Sequence, residues 1–119
     1  YWAAIMVPIS TFETNASILK KISTLAGKRQ VTWTGRAATD VLNENLTPDD
    51  VLDAIVSYIK EGKEVHKSIT RKPPHTGKVI FEMLPVIMEK KYYIKVQLWG
   101  EKGGERLIVI SAHVPRKGG

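Results

Sequence analysis

The sequence predicts an α+β fold of two layers, in which two to three N-terminal helices pack on an antiparallel sheet of about four strands. Apolar residues recur at helical spacing as far as Gly62 and at every second position after it. The chain has 119 residues, of which 43% are hydrophobic and 25% charged, as in ordinary globular proteins. This length suits a single domain, residues 1–119, with one modest core.

The N-terminal half contains the helical patterns. Residues 1–12 fit either a short strand or an ordered arm. A first helix is expected at Asn15–Ala26, with Thr14 or Asn15 as its cap and Gly27 as its stop. A basic connector, Lys28–Thr32, leads to a second, short helical pattern that begins at Thr34 or Gly35 and ends with Leu42.

The third helix has the strongest local signature. Thr47 is the expected cap, Pro48 suits the first turn, and Asp49 and Asp50 place negative charge at the positive end of the helix dipole. Gly62 is the expected end. These acidic residues are therefore interpreted as structural.

The strands are predicted from the change of period. They are Val65–Thr70, Lys78–Leu84, Tyr92–Trp99 and Arg106–Val114. A Pro-rich loop, Arg71–Gly77, separates the first two, and Glu101–Glu105 has the glycines of a hairpin turn. Residues 115–119 are expected to be a loose tail.

The Tyr92–Trp99 strand shows the strictest alternation in the chain. Tyr92, Ile94, Val96 and Leu98 share one face, which belongs in a core. The other face carries a phenol, an ammonium, an amide and an indole, contributed by Tyr93, Lys95, Gln97 and Trp99. Such groups stack on bases and neutralise phosphates. The alternative is that β-propensity and solubility alone favour these residues.

Charge is distributed unevenly along the chain. Residues 1–59 hold five basic and six acidic residues, a net charge of −1, whereas residues 60–119 hold thirteen and six, a net charge of +7. An anionic partner such as nucleic acid fits this asymmetry, although lysine also serves solubility. The absence of cysteine fits a cytoplasmic protein, and no apolar run is long enough to span a bilayer.

Several short motifs carry a resemblance to a known family. The strand Lys67–Thr70, the loop with His75-Thr76, the strand Tyr93–Val96 and the ending Leu107–Ser111 resemble the MqsR family of toxins, within the wider group of RelE-like ribonuclease folds. The resemblance covers roughly residues 34–114. It implies an endoribonuclease of a toxin–antitoxin system that cleaves mRNA without a metal or other cofactor and is silenced by a cognate antitoxin or immunity protein.

The resemblance also implies site residues. Lys67 and Tyr93 match active-site positions of the family, and His113 stands where the family has a lysine. The family's active-site glutamine is missing, because no Gln or Asn occurs between Ser68 and Lys95. Lys78 or Glu82 is the nearest polar substitute, which leaves the cleavage preference open.

The residues alone support the same chemistry. Cleaving RNA without a metal requires a group that takes the proton of the ribose 2′-hydroxyl, a group that protonates the leaving oxygen, and cations for the phosphorane charge. Histidine exchanges protons near neutral pH, so His113 is a candidate acid or base. A structural histidine on an apolar face with Leu107, Val109 and Ser111 is the alternative.

The remaining candidates have supporting roles. Tyr93 would stack on a base or, with its pKa lowered by a neighbouring cation, transfer a proton. Glu82 would act as a base or form a salt bridge with Lys78 or Lys95. The expected substrate-binding residues are Arg71, His75, Lys78, Lys95 and Gln97. The spacing of the three histidines predicts no metal site.

The sequence thus predicts a metal-independent endoribonuclease toxin that acts on single-stranded mRNA, with Lys67, Tyr93 and His113 as catalytic residues. Two alternatives remain open. One is a non-catalytic module that binds RNA or a protein on the same basic face, and the other is an interaction domain whose basic face only aids solubility.

Overall fold

A computed structural model describes residues 16–69, 79–101 and 104–115. Three helices and seven strands lie in these ranges. They are α1 (16–27), β1 (Val31–Trp33), α2 (Gly35–Asn43), α3 (Pro48–Lys60), β2 (His66–Ile69), β3 (Val79–Met83), β4 (Val86–Ile87), β5 (Lys90–Lys91), β6 (Tyr93–Glu101) and β7 (Gly104–His113).

Five of the strands form one sheet in the order β1-β7-β6-β3-β2, and β4 and β5 pair separately. Every neighbour in the large sheet is antiparallel except β1, which runs parallel to β7. The predicted α+β class is confirmed. The prediction of about four antiparallel strands missed β1, the parallel strand at the edge of the sheet. Most of β1 was predicted to be part of the connector Lys28–Thr32.

The missing strand has a physical explanation. Three residues are too few to show an alternating pattern, and β1 pairs with Leu107–Val109 at the other end of the chain. Its ladder continues on both sides, because the N–H of Leu107 donates to the carbonyl of Gln30 and the N–H of Thr34 donates to the carbonyl of Val109. A partner so distant in sequence leaves no local signal.

The predicted cap of α3 is confirmed, and α2 begins with a cap at Thr34, one of its two predicted starts. The Thr34 hydroxyl accepts the N–H of Ala37 at the start of α2. At α3, the Thr47 side chain accepts the N–H of Asp50, and the Asp50 carboxylate accepts the N–H of Thr47. Such caps contribute about 1 kcal/mol each. Gly62 follows α3 with a φ of +73°, which glycine adopts without strain.

The core lies between the helices and one face of the sheet. Its most deeply buried side chains come from all three helices and from the central strands, and they include Ile22, Val51, Ile55, Ile94, Val96, Leu107 and Val109. Each such side chain stabilises the fold by about 1.5–3 kcal/mol. The helices therefore cover one face of the sheet, which is called the core face below; the opposite one is called the outer face.

Several predictions concern segments outside the described residues. These are the arm or strand at residues 1–12, the cap of the first helix, the Arg71–Gly77 loop, Lys78, and the tail beyond Pro115. Within the described ranges, no helix combines the length and the hydropathy that crossing a membrane would require.

Candidate functional site

Strand β6 presents the two faces that the sequence predicts. Tyr92, just before it, is buried, as are Ile94 and Val96, and Leu98 packs partly buried against the same core. The alternate residues of β6, namely Tyr93, Lys95, Gln97 and Trp99, therefore share the outer face. The first three are half-buried, and the Trp99 side chain is 38% exposed.

A β-bulge in β7 decides where His113 lies. Val96 pairs with Val109, but Lys95 pairs with Ser111, so Ile110 has no partner on β6. One extra residue reverses the alternation that follows it. Leu107 and Val109 consequently face the core, whereas His113 faces outward, opposite Tyr93. The alternative prediction, a structural histidine on one apolar face with Leu107, Val109 and Ser111, is therefore wrong, because only Ser111 shares the face of His113.

The side chain of Thr34, the N-cap of α2, and that of Asp40 within α2 bind the bulged segment. The Thr34 hydroxyl donates a 2.7 Å hydrogen bond to the carbonyl of Ile110. The Asp40 carboxylate accepts the N–H of Ala112 at 3.0 Å. These bonds satisfy backbone groups where the strand is irregular. Thr34 and Asp40 thus fix the segment that carries His113.

Four outer-face side chains from three adjacent strands form the candidate site. The Tyr93 hydroxyl donates a 2.6 Å hydrogen bond to Oε2 of Glu82. The Lys95 ammonium lies 5.4 Å from the centre of the Tyr93 ring, within range of a cation–π interaction. The His113 ring meets the same ring edge to face, with centroids 5.6 Å apart and planes at 71°. Tyr93 thus contacts each of the other three residues, Glu82, Lys95 and His113.

Burial and Glu82 together keep the Tyr93 phenol protonated. Partial burial makes the largest contribution, and the hydrogen bond to Glu82 and its negative charge add to it, which raises the pKa of Tyr93 to about 12. The sequence-based expectation of a pKa lowered by a neighbouring cation is wrong. At neutral pH, Tyr93 is therefore a hydrogen-bond donor and a stacking surface, and it does not act as a base.

Glu82 occupies a more central position than the sequence indicated. It lies opposite Lys95 in the ladder between β3 and β6. Its hydrogen-bond partner is the phenol of Tyr93, one diagonal position away, and no salt bridge with Lys95 forms among the described residues; Lys78, the other predicted partner, lies outside them. A single acid at an outward position of an otherwise apolar strand, Val-Ile-Phe-Glu-Met, was the signal in the sequence.

Lys67 lies on the other side of the sheet. It pairs with Phe81, which is buried in the core and pairs in turn with Val96. Side chains of directly opposite residues share a face, so Lys67 is on the core face, and it is exposed because β2 is the edge strand. The prediction that Lys67 shares a site with Tyr93 and His113 is wrong in this respect.

His66 occupies the outward position on β2 next to Glu82, and sequence reasoning missed it. His66 pairs with Glu82 in the ladder, and its Nε2 lies 3.8 Å from Oε1 of Glu64. Its side chain is exposed. Only the register of β2 could have revealed His66, because a shift of one residue in the pairing exchanges His66 and Lys67 between the two faces.

The predicted substrate-binding residues fall into two groups. Lys95 and Gln97 lie on the outer face, and Gln97 pairs with Ile108. Arg71, His75 and Lys78 are outside the described residues. In the part of the chain that the structure describes, no three His, Asp or Glu side chains are grouped to hold a metal ion.

One buried hydroxyl adjoins the site. Ser111 is 3% exposed and pairs with Lys95, and its Oγ has no hydrogen-bond partner among the described residues. An unsatisfied buried hydroxyl costs about 1–3 kcal/mol. Among the described residues, a buried hydroxyl without a hydrogen-bond partner therefore lies beside Lys95.

Comparison with protein-family models, with curated proteins and with solved structures finds no match to this chain. Function therefore has to be inferred from the arrangement of its side chains.

Proposed function

We propose that the protein is a metal-independent endoribonuclease that cleaves single-stranded RNA, with Glu82 as general base and His113 as general acid. The observation that supports this most directly is that one residue, Tyr93, contacts both of them on the outer face of the sheet. Carboxylate and imidazole are the side chains that most often transfer protons in enzymes. Lys95 adds a cation to the same group.

The reaction uses the nucleophile that RNA itself provides. Glu82 takes the proton of the ribose 2′-hydroxyl, and the 2′-oxygen attacks the adjacent phosphorus. The bond from phosphorus to the 5′-oxygen breaks, and protonated His113 gives its proton to that oxygen. The products are a 2′,3′-cyclic phosphate and a 5′-hydroxyl, and atoms and charge balance without a metal.

The positions of the two groups suit an in-line displacement. Glu82 is on β3 and His113 on β7, the two strands that flank β6. Neighbouring strands are about 4.8 Å apart, so the backbones of β3 and β7 are separated by roughly 10 Å. Glu82 lies opposite Lys95 and His113 opposite Tyr93, two residues apart along β6. A phosphate above this part of β6 would have the base on one side and the acid on the other, as opposed entering and leaving oxygens require.

Lys95 and Tyr93 have different supporting roles. The Lys95 ammonium offsets the negative charge that develops on the phosphorane oxygens. The Tyr93 hydroxyl orients the Glu82 carboxylate, and its ring offers a surface on which a base can stack. Tyr93 is therefore a positioning residue for Glu82.

The biological role and the fold family are part of the proposal. A RelE-like toxin of the MqsR type, silenced by an antitoxin or immunity protein in the cytoplasm, is supported by the order of helices and strands and by the residue resemblance described above. The proposed site contains Glu82 and does not contain Lys67, and in this it departs from that resemblance. The proposed catalytic set is therefore argued from geometry and chemistry.

The test is cleavage of a purified mRNA in excess EDTA, with analysis of the product ends. The proposal predicts EDTA-resistant cuts that leave 2′,3′-cyclic phosphates and 5′-hydroxyls. Glu82→Gln and His113→Ala should each lower the rate by roughly 10²–10⁴-fold. Intact RNA at micromolar protein, or cuts that require a divalent metal, would contradict it. Salt-sensitive binding without cleavage would favour the non-catalytic RNA-binding alternative.

A further inference from the structure

We propose that Trp99 and Arg106 form a second RNA subsite, which holds one unpaired base several nucleotides away from the cleaved bond. The inference rests on the proposed ribonuclease function and adds to it a requirement on the length and structure of the substrate. The two residues are direct partners in the ladder between β6 and β7, so their side chains share the outer face with the candidate site.

A cavity marks this position. It has a volume of about 270 Å³ and is lined by Thr32, Trp99, Arg106 and Ile108. Thr32 and Ile108 are also direct partners, between β1 and β7. Pockets for small ligands usually have about 300–1,000 Å³, so this one, near the low end of that range, has room for a base.

The Arg106 guanidinium is fixed in place. Its Nε donates a 3.0 Å hydrogen bond to Oγ1 of Thr32, and one of its terminal nitrogens donates a 3.1 Å bond to the carbonyl of Val31. A guanidinium held at two points presents a planar face without further loss of side-chain freedom. Unpaired bases stack on such planes and on aromatic rings.

Strand β6 connects this cavity to the candidate site. Tyr93, Lys95, Gln97 and Trp99 lie in a row on the outer face. Tyr93 and Trp99 are six residue steps apart along an antiparallel strand, a distance of about 20 Å. One nucleotide cannot span it, so a substrate must continue for several nucleotides past the scissile phosphate, with Gln97 facing the intervening part.

The chemistry favours a single-stranded nucleic acid over an apolar peptide. The cavity joins an indole to a cation, and the row that leads to it includes Lys95. Stacking is tolerant of base identity because every base has a π face. A base in a duplex is already stacked and paired, and the bases of an A-form helix are poorly accessible to side chains. The subsite should therefore require an unpaired base of any identity.

The experiment uses short RNAs with one mapped cleavage site and a single abasic nucleotide placed at each position in turn. For the wild-type chain, we expect kcat/KM to fall roughly 5- to 150-fold when the abasic position is the one that occupies the subsite. Changing the base there without removing it should have little effect. Trp99→Ala should lower kcat/KM for the intact RNA similarly and should abolish the abasic effect.

Two further variants separate stacking from charge and from misfolding. Arg106→Lys keeps the positive charge but loses the planar group, so it should behave like a partial loss of the subsite. Trp99→Phe keeps an aromatic face and should retain most of the activity. Full activity in Arg106→Lys, together with a flat abasic scan, would overturn the subsite while leaving the ribonuclease function intact.

A binding measurement distinguishes failure of the subsite from failure of catalysis. The probe is the same RNA with a 2′-deoxy nucleotide at the cleavage site or, if no site is found, a short unstructured RNA. Loss of its binding on Trp99→Ala would support the subsite even in a protein that does not cleave. Equal binding by the wild-type chain and Trp99→Ala, with or without cleavage, would overturn it.

Discussion

The hydroxyl of Tyr93 donates a 2.6 Å hydrogen bond to the carboxylate of Glu82, between neighbouring strands on the outer face of the sheet. Hydrogen bonds to charged groups contribute about 1.5–3 kcal/mol where they are shielded from water. Both residues are half-buried, so the lower end of this range applies. The bond ties the proposed base to the residue that also contacts Lys95 and His113.

Removal of this hydroxyl should affect stability and catalysis together. We expect Tyr93→Phe to lower the free energy of unfolding by about 1–2 kcal/mol, measured by urea denaturation. RNA cleavage should fall less than in Glu82→Gln, because the base is still present but no longer oriented. A Tyr93→Phe variant with unchanged stability and unchanged cleavage would contradict the positioning role.

The raised pKa of Tyr93 predicts a specific dependence of stability on pH. The folded state binds the phenolic proton more tightly than the unfolded state, in which the pKa is about 10, whereas the folded value is about 12. The unfolded chain therefore loses this proton first as the pH rises. The contribution of Tyr93 is fully present below pH 10 and is lost as the pH approaches 12.

The measurement is the difference in unfolding free energy between the wild-type chain and Tyr93→Phe as a function of pH. Because other tyrosines and lysines titrate in both proteins, the difference isolates Tyr93. It should be constant near neutral pH and shrink above pH 10. A difference that grows with pH in this range would show that the phenol is not stabilised in its protonated form.

Lys95 and Lys67 were both predicted to lie in the site but are on opposite faces of the sheet, so comparing them tests the site. Lys95→Ala should lower the cleavage rate by roughly 10–100-fold, since it removes a charge beside the reacting phosphate. Lys67→Ala removes the same charge from the core face at the sheet edge, so it should change the rate by less than about twofold. Equal losses in the two variants would indicate that charge alone, without the outer-face geometry, determines activity.

How much of this arrangement could be predicted depends on how local its cause is. The cap of α3 at Thr47 and the alternation of β6 are properties of a few consecutive residues, and both are confirmed by the structure. Strand β1, in contrast, exists because Val31–Trp33 meets β7. No pattern within three residues could reveal that pairing.

The candidate site shows the same division. The outward direction of Tyr93 follows from its own strand, but the face of Lys67 is set by its pairing with Phe81, and the face of His113 by the bulge at Ile110. A one-residue change in register reverses a face. Lys67 is assigned to the site by the family resemblance, which says nothing about register; register depends on the pairing of β2 with β3, and that pairing puts His66 in the outward position instead.

Substitution of Asp40 tests whether its bond to the bulged segment holds His113 in place. Asp40→Ala leaves the buried N–H of Ala112 without its acceptor, which should cost about 1–3 kcal/mol of unfolding free energy. Cleavage should also fall, because the segment that carries His113 loses one of its two bonds to α2. Asp40→Asn retains an acceptor oxygen and serves as the matched control. Equal losses of cleavage and stability in both variants would contradict this account.

The central claim is that His113 gives a proton to the leaving 5′-oxygen while Glu82 removes one from the 2′-hydroxyl. It is tested most directly with an RNA in which sulfur replaces the bridging 5′-oxygen at the cleavage site, because a thiolate leaves without protonation. This substrate should restore cleavage by His113→Ala to near the wild-type rate and should leave Glu82→Gln impaired. If His113→Ala remains as impaired on the sulfur substrate as on normal RNA, His113 is not the general acid.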